Sequence, residues 1–301
     1  MNDATTVAST SPSGVGFLGL GAMGRPMAAR LARAGLLRAV WNRDPARRRS
    51  FIDAHPGIEE APDPETLARS VRTVVLCVTA DEDVLAVVEA LRPALTADHL
   101  LVDCSTVAPE TSRRAAALAG EAGASYVDAP VSGGTEGAER GTLSVFLGGR
   151  EEDRARAEPV LRHLGSRITP LGPVGSGQAA KAVNQLMLAG VNQAVSEALA
   201  FAQAEGLDLE ALVPALAHGA AGSWFLEHRS PNMIARRFPL GFRMRLHAKD
   251  LEICRRMAAA RGVQLPLAEM TLLHYRRLAD HAEEDVSALF LLKQALFREG
   301  R

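Results

Sequence analysis

The sequence is poor in cysteine, has almost no excess of charge, and lacks the common metal and nucleophile motifs. The three cysteines, Cys77, Cys104 and Cys254, have no metal-ligand spacing and lie in apolar surroundings, so we expect buried thiols in a reducing cytoplasm. A formal net charge of −1 gives no electrostatic case for binding nucleic acid or an anionic membrane. The eight histidines show no H-E-x-x-H or paired ligand spacing, so no metal is predicted, and a G-x-S-x-G nucleophile motif is absent.

No targeting or membrane-spanning segment is predicted either. Residues 1–13 are rich in Ser and Thr and lack both a basic start and an apolar core, so they are interpreted as a disordered tail. The most apolar long segment, 182–204, is interrupted by several amides and one Glu, which predicts a buried helix rather than a membrane span. The length of 301 residues and the 47% of hydrophobic residues allow two domains.

The most informative stretch is the segment 15–24, VGFLGLGAMG, an apolar run that breaks into G-x-G-x-x-G. In a dinucleotide site the first glycine turns the chain out of a strand, the second lets the backbone approach a pyrophosphate, and the third lets a helix pack on the strand. Apolar residues at helical spacing and then a second apolar strand follow, as the motif requires. The alternative is a purely structural glycine turn. We predict cofactor contacts at Gly19, Leu20, Gly21, Ala22, Met23 and Gly24.

The end of the second strand bears on which dinucleotide is bound. An acidic residue there would hydrogen-bond the ribose 2′-hydroxyl and repel a phosphate, but this strand ends in Asn42 and Arg43. Because arginine pairs bidentately with phosphate, we predict that both residues contact the cofactor and that it is NADP, with NAD as the alternative. Arg47, Arg48 and Arg49 are mostly interpreted as the solvated face of the following helix.

The first half of the chain alternates apolar strands with helices, which predicts a doubly wound, mostly parallel α/β sheet of the Rossmann type. Further strands are predicted at 72–78, 100–104, 125–128 and 143–147. Ligands of such sheets lie beyond the carboxyl ends of the strands, so Val78, Thr79 and Thr106 are predicted cofactor contacts, with local capping as the alternative for both threonines. From residue 176 onward the pattern is entirely helical. We therefore predict a dinucleotide-binding domain over 14–172 and an all-α domain over 173–301.

Lys181 is the strongest candidate for chemistry. It lies among small residues in the first turns of an apolar helix, with Asn184 and Gln185 at i+3 and i+4 on its face. Burial lowers a lysine pKa toward the value required of a proton donor near neutrality. The alternative is a lysine whose ammonium reaches solvent beside two polar neighbours.

Four motifs that occur in order between residues 15 and 251 resemble the β-hydroxyacid dehydrogenase family, which includes 3-hydroxyisobutyrate dehydrogenase and tartronate semialdehyde reductase. The motifs are GLGAMGRPMA from Gly19, DAPVSGG from Asp128, GxGxxxKxxN from Gly175, and KDL from Lys249. The resemblance implies a Rossmann domain joined to an all-helical domain that oligomerises, as a homodimer or homotetramer, with the active site in the cleft. It also implies a small carboxylate substrate.

The resemblance assigns roles to particular residues. It makes Lys181 the catalytic lysine, an acid in reduction and a base in oxidation. Ser132, with the amides of Gly133 and Gly134, would hold the substrate carboxylate, a tight turn being the alternative. Asn184 would orient the substrate.

Two further positions follow from the same resemblance. Lys249, like Thr106, matches a cofactor-contacting position, and the alternative is a surface helix start at which it pairs with Asp250. Gln185 is placed with the substrate contacts. Many members have Asn at this position, and the Asn-Gln pair resembles the semialdehyde and tartronate branch of the family.

The leading functional hypothesis is a cytoplasmic, NADP(H)-dependent oxidoreductase that interconverts a small β-hydroxyacid with its semialdehyde or keto partner. A non-catalytic NADP-binding oligomeric module is one alternative, and the joint presence of Lys181, Ser132 and Asn184 argues against it. An imine reductase of similar architecture is the other, and such enzymes usually replace the lysine.

Overall fold

The computed structural model describes residues 14–299, so the predicted tail at 1–13 lies outside the described residues. The chain divides into two compact units between Ala180 and Lys181. The predicted domain boundary, at 172, coincides with the last residue of the final strand and lies eight residues before this division.

A nine-stranded sheet forms the centre of the first unit. Its strands are β1 (Val15–Leu18), β2 (Leu37–Trp41), β3 (Glu59–Glu60), β4 (Thr73–Leu76), β5 (Leu100–Asp103), β6 (Ser125–Asp128), β7 (Val131–Ser132), β8 (Leu143–Gly148) and β9 (Gly165–Gly172). Their spatial order is β3-β2-β1-β4-β5-β6-β8-β7, with β9 paired to β8. β2 and β3 therefore extend the sheet on one side of β1, and β4, β5 and β6 extend it on the other. This confirms the predicted doubly wound, mostly parallel sheet.

Helices connect these strands. They are α1 (Gly24–Arg33), α2 (Pro45–Ala54), α3 (Pro64–Ser70), α4 (Asp81–Leu91), α5 (Pro109–Glu121), α6 (Gly134–Arg140) and α7 (Glu151–Leu161), with a 3₁₀ turn at Arg92–Ala94. Two of them begin in the same way: Asp44 caps α2 and Asp63 caps α3, and in each case proline is the first helical residue. Proline suits that position because its missing N–H would have no partner in the helix.

The sheet is buried on both faces. On β1, Phe17 packs into one apolar core and Leu18 into the other, and Val75 and Leu76 repeat this alternation on β4. A strand buried on both sides has no polar face, which is why the strands appear in the sequence as continuous apolar runs.

Three strands and one strand direction differ from the sequence prediction. β8, predicted as one more parallel strand, pairs antiparallel with both β6 and β7. β3, β7 and β9 were not predicted: β3 and β7 have two residues each, and the residues of β9 are mostly exposed. None of the three has the buried apolar run by which the other strands were recognised.

The second unit is helical, as predicted. The long helix α8 (Ser176–Ala204) leads into it, and α9 (Leu209–Ala217), α10 (Trp224–Ile234), α11 (Met244–Ala259), α12 (Pro266–Arg277) and α13 (Leu289–Glu299) follow, with 3₁₀ turns at Ala279–His281 and Val286–Ala288. α11 begins at Met244, so Lys249 is its sixth residue. The alternative interpretation of Lys249 placed it at a helix start, paired with Asp250; it lies in the second turn instead, but it does pair with Asp250 (2.9 Å). Between residues 14 and 299, no helix combines the length and apolarity needed to cross a membrane.

Candidate active site

The glycine-rich loop leaves β1 and is held at both sides by neighbouring strands. Gly19 N–H donates to the Trp41 carbonyl at the end of β2 (2.9 Å), and Cys77 N–H, just beyond β4, donates to Leu18 O (2.9 Å). Asn42, a predicted cofactor contact, accepts a hydrogen bond from Leu20 N–H through its side-chain oxygen (2.9 Å). Asn42 therefore fixes the loop directly, whatever contact it makes with a cofactor.

The three glycines of the motif differ in what surrounds them. Gly19 has φ +97°, and a Cβ there would lie 2.1 Å from the Cys77 carbonyl oxygen. A Cβ on Gly24 would lie 1.8 Å from Gly19 O, so both positions are glycine because the fold requires it. A Cβ on Gly21 would meet only the Arg47 guanidinium, at 3.9 Å. The protein itself leaves space at Gly21, beside the start of α1 and next to a positive charge, which suits a pyrophosphate.

Ala22 and Met23 complete this loop. Ala22 is exposed, and Met23 is the N-cap residue of α1 and supplies no side-chain cap. The N–H groups at a helix start attract anions when side chains leave them accessible. The loop and the helix start together therefore fit a dinucleotide.

Two arginines follow β2, whose last residue contacts this loop. The Arg43 side chain is 85% exposed and pairs with Asp83 of α4 at 3.1 Å. Arg47, interpreted from the sequence as part of a solvated face, pairs with Asp44 at 3.5 Å and lies closest to Gly21. Asp83, which lies 40 residues beyond Arg43 in the sequence, is thus an acidic partner of Arg43 that the local sequence did not indicate.

The carboxyl ends of β1, β4, β5 and β6 are in register: Leu18 is opposite Leu76, Leu76 opposite Asp103, and Asp103 opposite Asp128. Beyond this edge the chain carries the half-buried Val78, the exposed Thr79 and the half-buried Thr106. The three predicted cofactor contacts therefore follow neighbouring strands.

Ser105 and Asp103 hold these segments together. Val78 N–H donates to Ser105 Oγ (2.9 Å), and Ser105 N–H donates to Asp103 Oδ1 (2.9 Å). Tyr126 OH donates to the other carboxylate oxygen of Asp103 (2.6 Å), while burial raises the pKa of Asp103. The sequence pattern does not reveal this support, because Val78 is 27 residues from Ser105 and Tyr126 is 23 residues from Asp103.

The predicted carboxylate-binding turn lies where β7 meets α6. Ser132 is half-buried and pairs across the ladder with Ser144 of β8. Gly133 (φ +134°) is exposed, and Gly134 (φ +64°) begins α6. The left-handed φ at both positions explains why the chain has two glycines here.

Asp128, at the start of the DAPVSGG motif, has a structural role that the sequence did not reveal. Its carboxylate accepts hydrogen bonds from Gly175 N–H (2.8 Å) and Gln178 N–H (2.9 Å), at the first turn of α8. Burial raises the pKa of Asp128, while these N–H groups oppose that shift. A Cβ on Gly177 would lie 2.4 Å from the Phe146 carbonyl oxygen, which explains the second glycine of the GxGxxxK motif.

Gln178 extends this attachment of α8 to the sheet. Its side-chain oxygen accepts from Val107 N–H (3.1 Å) and its amide donates to Ser105 O (2.8 Å). The same buried side chain therefore fixes the segment around Thr106. Lys181 follows three residues later in the same helix.

In the second unit, Lys181 is buried, with 6% of its surface exposed. Burial lowers its pKa from 10.5 to about 8, Asp250 opposes this shift, and Lys249 adds to it. The alternative interpretation, an ammonium that reaches solvent, does not describe this side chain. A lysine in such an environment holds a proton at neutral pH and releases it easily.

A chain of side chains lies next to Lys181. Asn184 Nδ2 donates to Gln185 Oε1 (2.8 Å), Gln185 Nε2 donates to Asp250 Oδ2 (2.7 Å), and Lys249 Nζ lies 2.9 Å from Asp250 Oδ1. Gln185 is 1% exposed, so its side chain serves to connect Asn184 with Asp250. Asn184 and Lys249 are both half-buried and retain access to a ligand.

Other chemistries find no support in the described part of the chain. Residues 14–299 contain no group of three or more His, Cys, Asp or Glu side chains that could hold a metal ion. The three cysteines are free, and burial raises the pKa of Cys77 to about 12 and that of Cys254 to about 11, so neither thiol is a nucleophile near neutral pH.

Comparisons with known proteins agree with a dinucleotide fold that carries oxidoreductase chemistry. Residues 14–172 match the family described as the NAD binding domain of 6-phosphogluconate dehydrogenase, and residues 175–292 match the NAD-binding family of NADP-dependent 3-hydroxyisobutyrate dehydrogenase. The chain is 38% identical over 252 residues to 2-hydroxy-3-oxopropionate reductase of Escherichia coli K12, which covers 84% of this chain and 86% of the relative.

Two 3-hydroxyisobutyrate dehydrogenases are similar over nearly the whole chain. The enzyme of Pseudomonas aeruginosa is 34% identical over 298 residues, covering 94% of this chain and 98% of the relative. The structure of the Mycobacterium tuberculosis enzyme with L-serine has a TM-score of 0.85 and 32% identity, covering 94% of this chain and 99% of that one.

The fold, the glycine loop and these relatives define an NAD(P)-dependent oxidoreductase that acts on a CH–OH group. More particularly, the chain belongs to the β-hydroxyacid dehydrogenase family.

Proposed function

We propose that this protein is an NADP(H)-dependent enzyme that interconverts a small β-hydroxyacid with its semialdehyde or keto partner, with Lys181 as the general acid and base. The observation that carries the proposal is the buried Lys181 ammonium beside Asp250 and Lys249. The names of the relatives support a short carboxylate as the substrate: one reduces 2-hydroxy-3-oxopropionate, and others oxidise 3-hydroxyisobutyrate.

Lys181 supplies the proton that carbonyl reduction requires. With a pKa of about 8, about 90% of the side chain is protonated near pH 7, so it can donate to the developing alkoxide oxygen. In oxidation the neutral amine accepts the hydroxyl proton, and this direction should be faster above that pKa. When the dinucleotide is bound, its nicotinamide ring supplies or accepts the hydride. The loop 19–24 would hold the pyrophosphate of the same cofactor.

Ser132 and Asn184 orient the substrate in this proposal. The turn around Gly133 presents backbone N–H groups and a serine hydroxyl, which suit a carboxylate. Asn184 uses one amide hydrogen for Gln185 and keeps another for a substrate oxygen.

The preference for NADP depends on Arg43. The Arg43 side chain is exposed where it pairs with Asp83. Exposed ion pairs contribute about 1 kcal/mol or less to stability, so the 2′-phosphate of NADP can replace the Asp83 carboxylate as the partner of Arg43. Arg43→Asp should therefore reverse the ratio of kcat/KM for NADPH over NADH. Asp83→Asn should increase that ratio, because it removes a carboxylate that repels phosphate. Unchanged ratios in both variants would refute the assignment of NADP.

Steady-state oxidation of NADPH with four aldehydes tests the reaction itself: glyoxylate, succinic semialdehyde, tartronate semialdehyde and methylmalonate semialdehyde. We expect turnover with at least one of them and loss of turnover in Lys181→Met. Lys293→Met is the matched control, since Lys293 is an equally buried lysine of the same unit that pairs with Glu197. Tight binding of NADPH without turnover of any aldehyde would favour a non-catalytic binding module instead.

A further inference from the structure

The second unit contains a fully buried histidine that the proposed reaction does not use. His247 lies in α11, two residues before Lys249 and three before Asp250, and none of its surface is exposed. Both ring nitrogens have partners. Nε2 lies 3.0 Å from the Gln185 carbonyl oxygen of α8, and Nδ1 lies 2.8 Å from the Tyr275 hydroxyl of α12.

These partners determine the protonation state of His247. A carbonyl oxygen only accepts hydrogen bonds, so Nε2 carries the proton and donates it to Gln185 O. Burial lowers the pKa of His247, which favours the neutral ring, and Nδ1 then accepts from Tyr275 OH. Asn192 of α8 supports the tyrosine, since its Nδ2 lies 3.4 Å from Tyr275 OH and donates to Val286 O at 2.8 Å.

Gln185 is consequently attached to α11 at two points. His247 binds its backbone carbonyl, and Asp250, one turn further along α11, accepts from its side-chain amide at 2.7 Å. Lys181 lies four residues before Gln185 on the same face of α8. The two contacts therefore fix the turn that carries Lys181 against the turn that carries Lys249 and Asp250.

We propose that neutral His247, oriented by Tyr275, is a positioning residue that sets the place of the Lys181 ammonium relative to Asp250 by holding the Gln185 carbonyl. The proposal rests on the proposed function, because it assigns His247 to the lysine that performs the proton transfer. His247 itself touches neither reactant.

The charged and titratable groups that act on Lys181 and His247 lie on α8, α11 and α12. Asp250 and Lys249 of α11 act on Lys181, and His247 faces Asp250 and Lys181. From α12 the facing group is the Tyr275 hydroxyl, whose pKa burial raises. Loss of the His247 contact lets the Gln185 turn move and admits water to Lys181, so the lysine pKa should rise toward its ordinary value.

The experiment compares His247→Leu with His247→Gln. Leucine removes both hydrogen bonds, whereas the glutamine amide can still donate to Gln185 O and accept from Tyr275 OH. We expect His247→Leu to lower kcat for reduction by about tenfold or more, because small displacements of a catalytic group have large effects on rate. KM for NADPH should stay within about twofold, and the fall of kcat with rising pH should move to higher pH. His247→Gln should restore most of the rate and the original pH profile.

His274→Leu is the matched control, since His274 is a half-buried histidine of α12 that bonds Gln193 of α8 two turns beyond Gln185. Its pH profile should equal that of the wild type. If His247→Leu loses thermal stability but keeps kcat and the pH profile, His247 is merely structural and the proposal is wrong.

Should His247→Leu fail to fold, ¹⁵N NMR of the imidazoles in the intact protein decides the question. A neutral His247 ring with the proton on Nε2 supports the proposal, and a proton on Nδ1 or a charged ring near neutral pH overturns it. Retained activity in Lys181→Met would instead refute the proposed function. Loss of activity there, together with an unchanged profile in His247→Leu, would refute only the role of His247.

Discussion

Replacement of Lys181 by methionine should abolish activity and at the same time stabilise the second unit. Burial lowers the lysine pKa from 10.5 to about 8, and a difference of one in pKa corresponds to about 1.4 kcal/mol. The charged form is therefore disfavoured in the folded state by about 3 kcal/mol. Methionine has a similar length and no charge to desolvate, so we expect Lys181→Met to gain about 1 to 3 kcal/mol near pH 7.

The gain should depend on pH in a definite direction. Below about pH 8 the lysine is protonated in both the folded and the unfolded chain, so its full cost is present. Between about pH 8 and pH 10.5 the unfolded chain holds more protons, and the stability of the wild type rises with pH. The advantage of Lys181→Met should accordingly shrink over this interval and vanish near its upper end.

Urea unfolding at several pH values measures this difference. The chain has two tryptophans, Trp41 in the first unit and Trp224 in the second, so a Trp41→Phe background makes the fluorescence specific for the second unit. The control Lys293→Met removes an ammonium that already pairs with Glu197, and we expect no gain from it. A Lys181→Met variant that is less stable than its parent near pH 7, or whose gain is independent of pH, would show that Lys181 is not a desolvated lysine.

Three further variants test the cofactor loop and the start of α8. Gly21→Ala should keep the wild-type melting temperature, because its Cβ meets only Arg47 at 3.9 Å, but it should weaken NADPH binding in a fluorescence titration. Gly24→Ala should fail to fold, because its Cβ would lie 1.8 Å from Gly19 O. NADPH affinity unchanged in Gly21→Ala would contradict the loop assignment. Asp128→Asn replaces one acceptor oxygen with a donor that faces Gly175 or Gln178, and should cost about 2 kcal/mol or more in chemical denaturation of the first unit. A loss below about 0.5 kcal/mol would mean that these N–H groups have other partners.

The sequence was sufficient for the parts of the fold that depend on local pattern. Strands buried on both faces are continuous apolar runs, so β1, β4 and β5 were found within two residues. β9 was missed because most of its residues are exposed and its pairing with β8 alone makes it a strand. α6 was missed because its sequence, GTEGAER, offers only two buried residues, both small.

In the candidate site, too, residues marked by a local pattern were predicted and residues that depend on distant contacts were not. Lys181 stood out because a charged residue in an apolar helix is a local anomaly. Gln178 could not be recognised, since its partners are 71 and 73 residues away and depend on the strand order. The pairing of Asp83 with Arg43 could not be predicted either, because the two residues are 40 positions apart and only the sheet brings α4 beside the end of β2.

Asp128 has a consequence for how this enzyme can diverge. The motif that begins at Asp128 is predicted to bind substrate at its far end, around Ser132, but its first residue anchors α8, on which Lys181 lies. Replacement of the Ser132 turn would leave the contacts of Asp128 with the start of α8 intact. A library that varies residues 131–134 and keeps Asp128 should yield folded variants with new substrates, whereas one that also varies Asp128 should yield a larger share of destabilised chains.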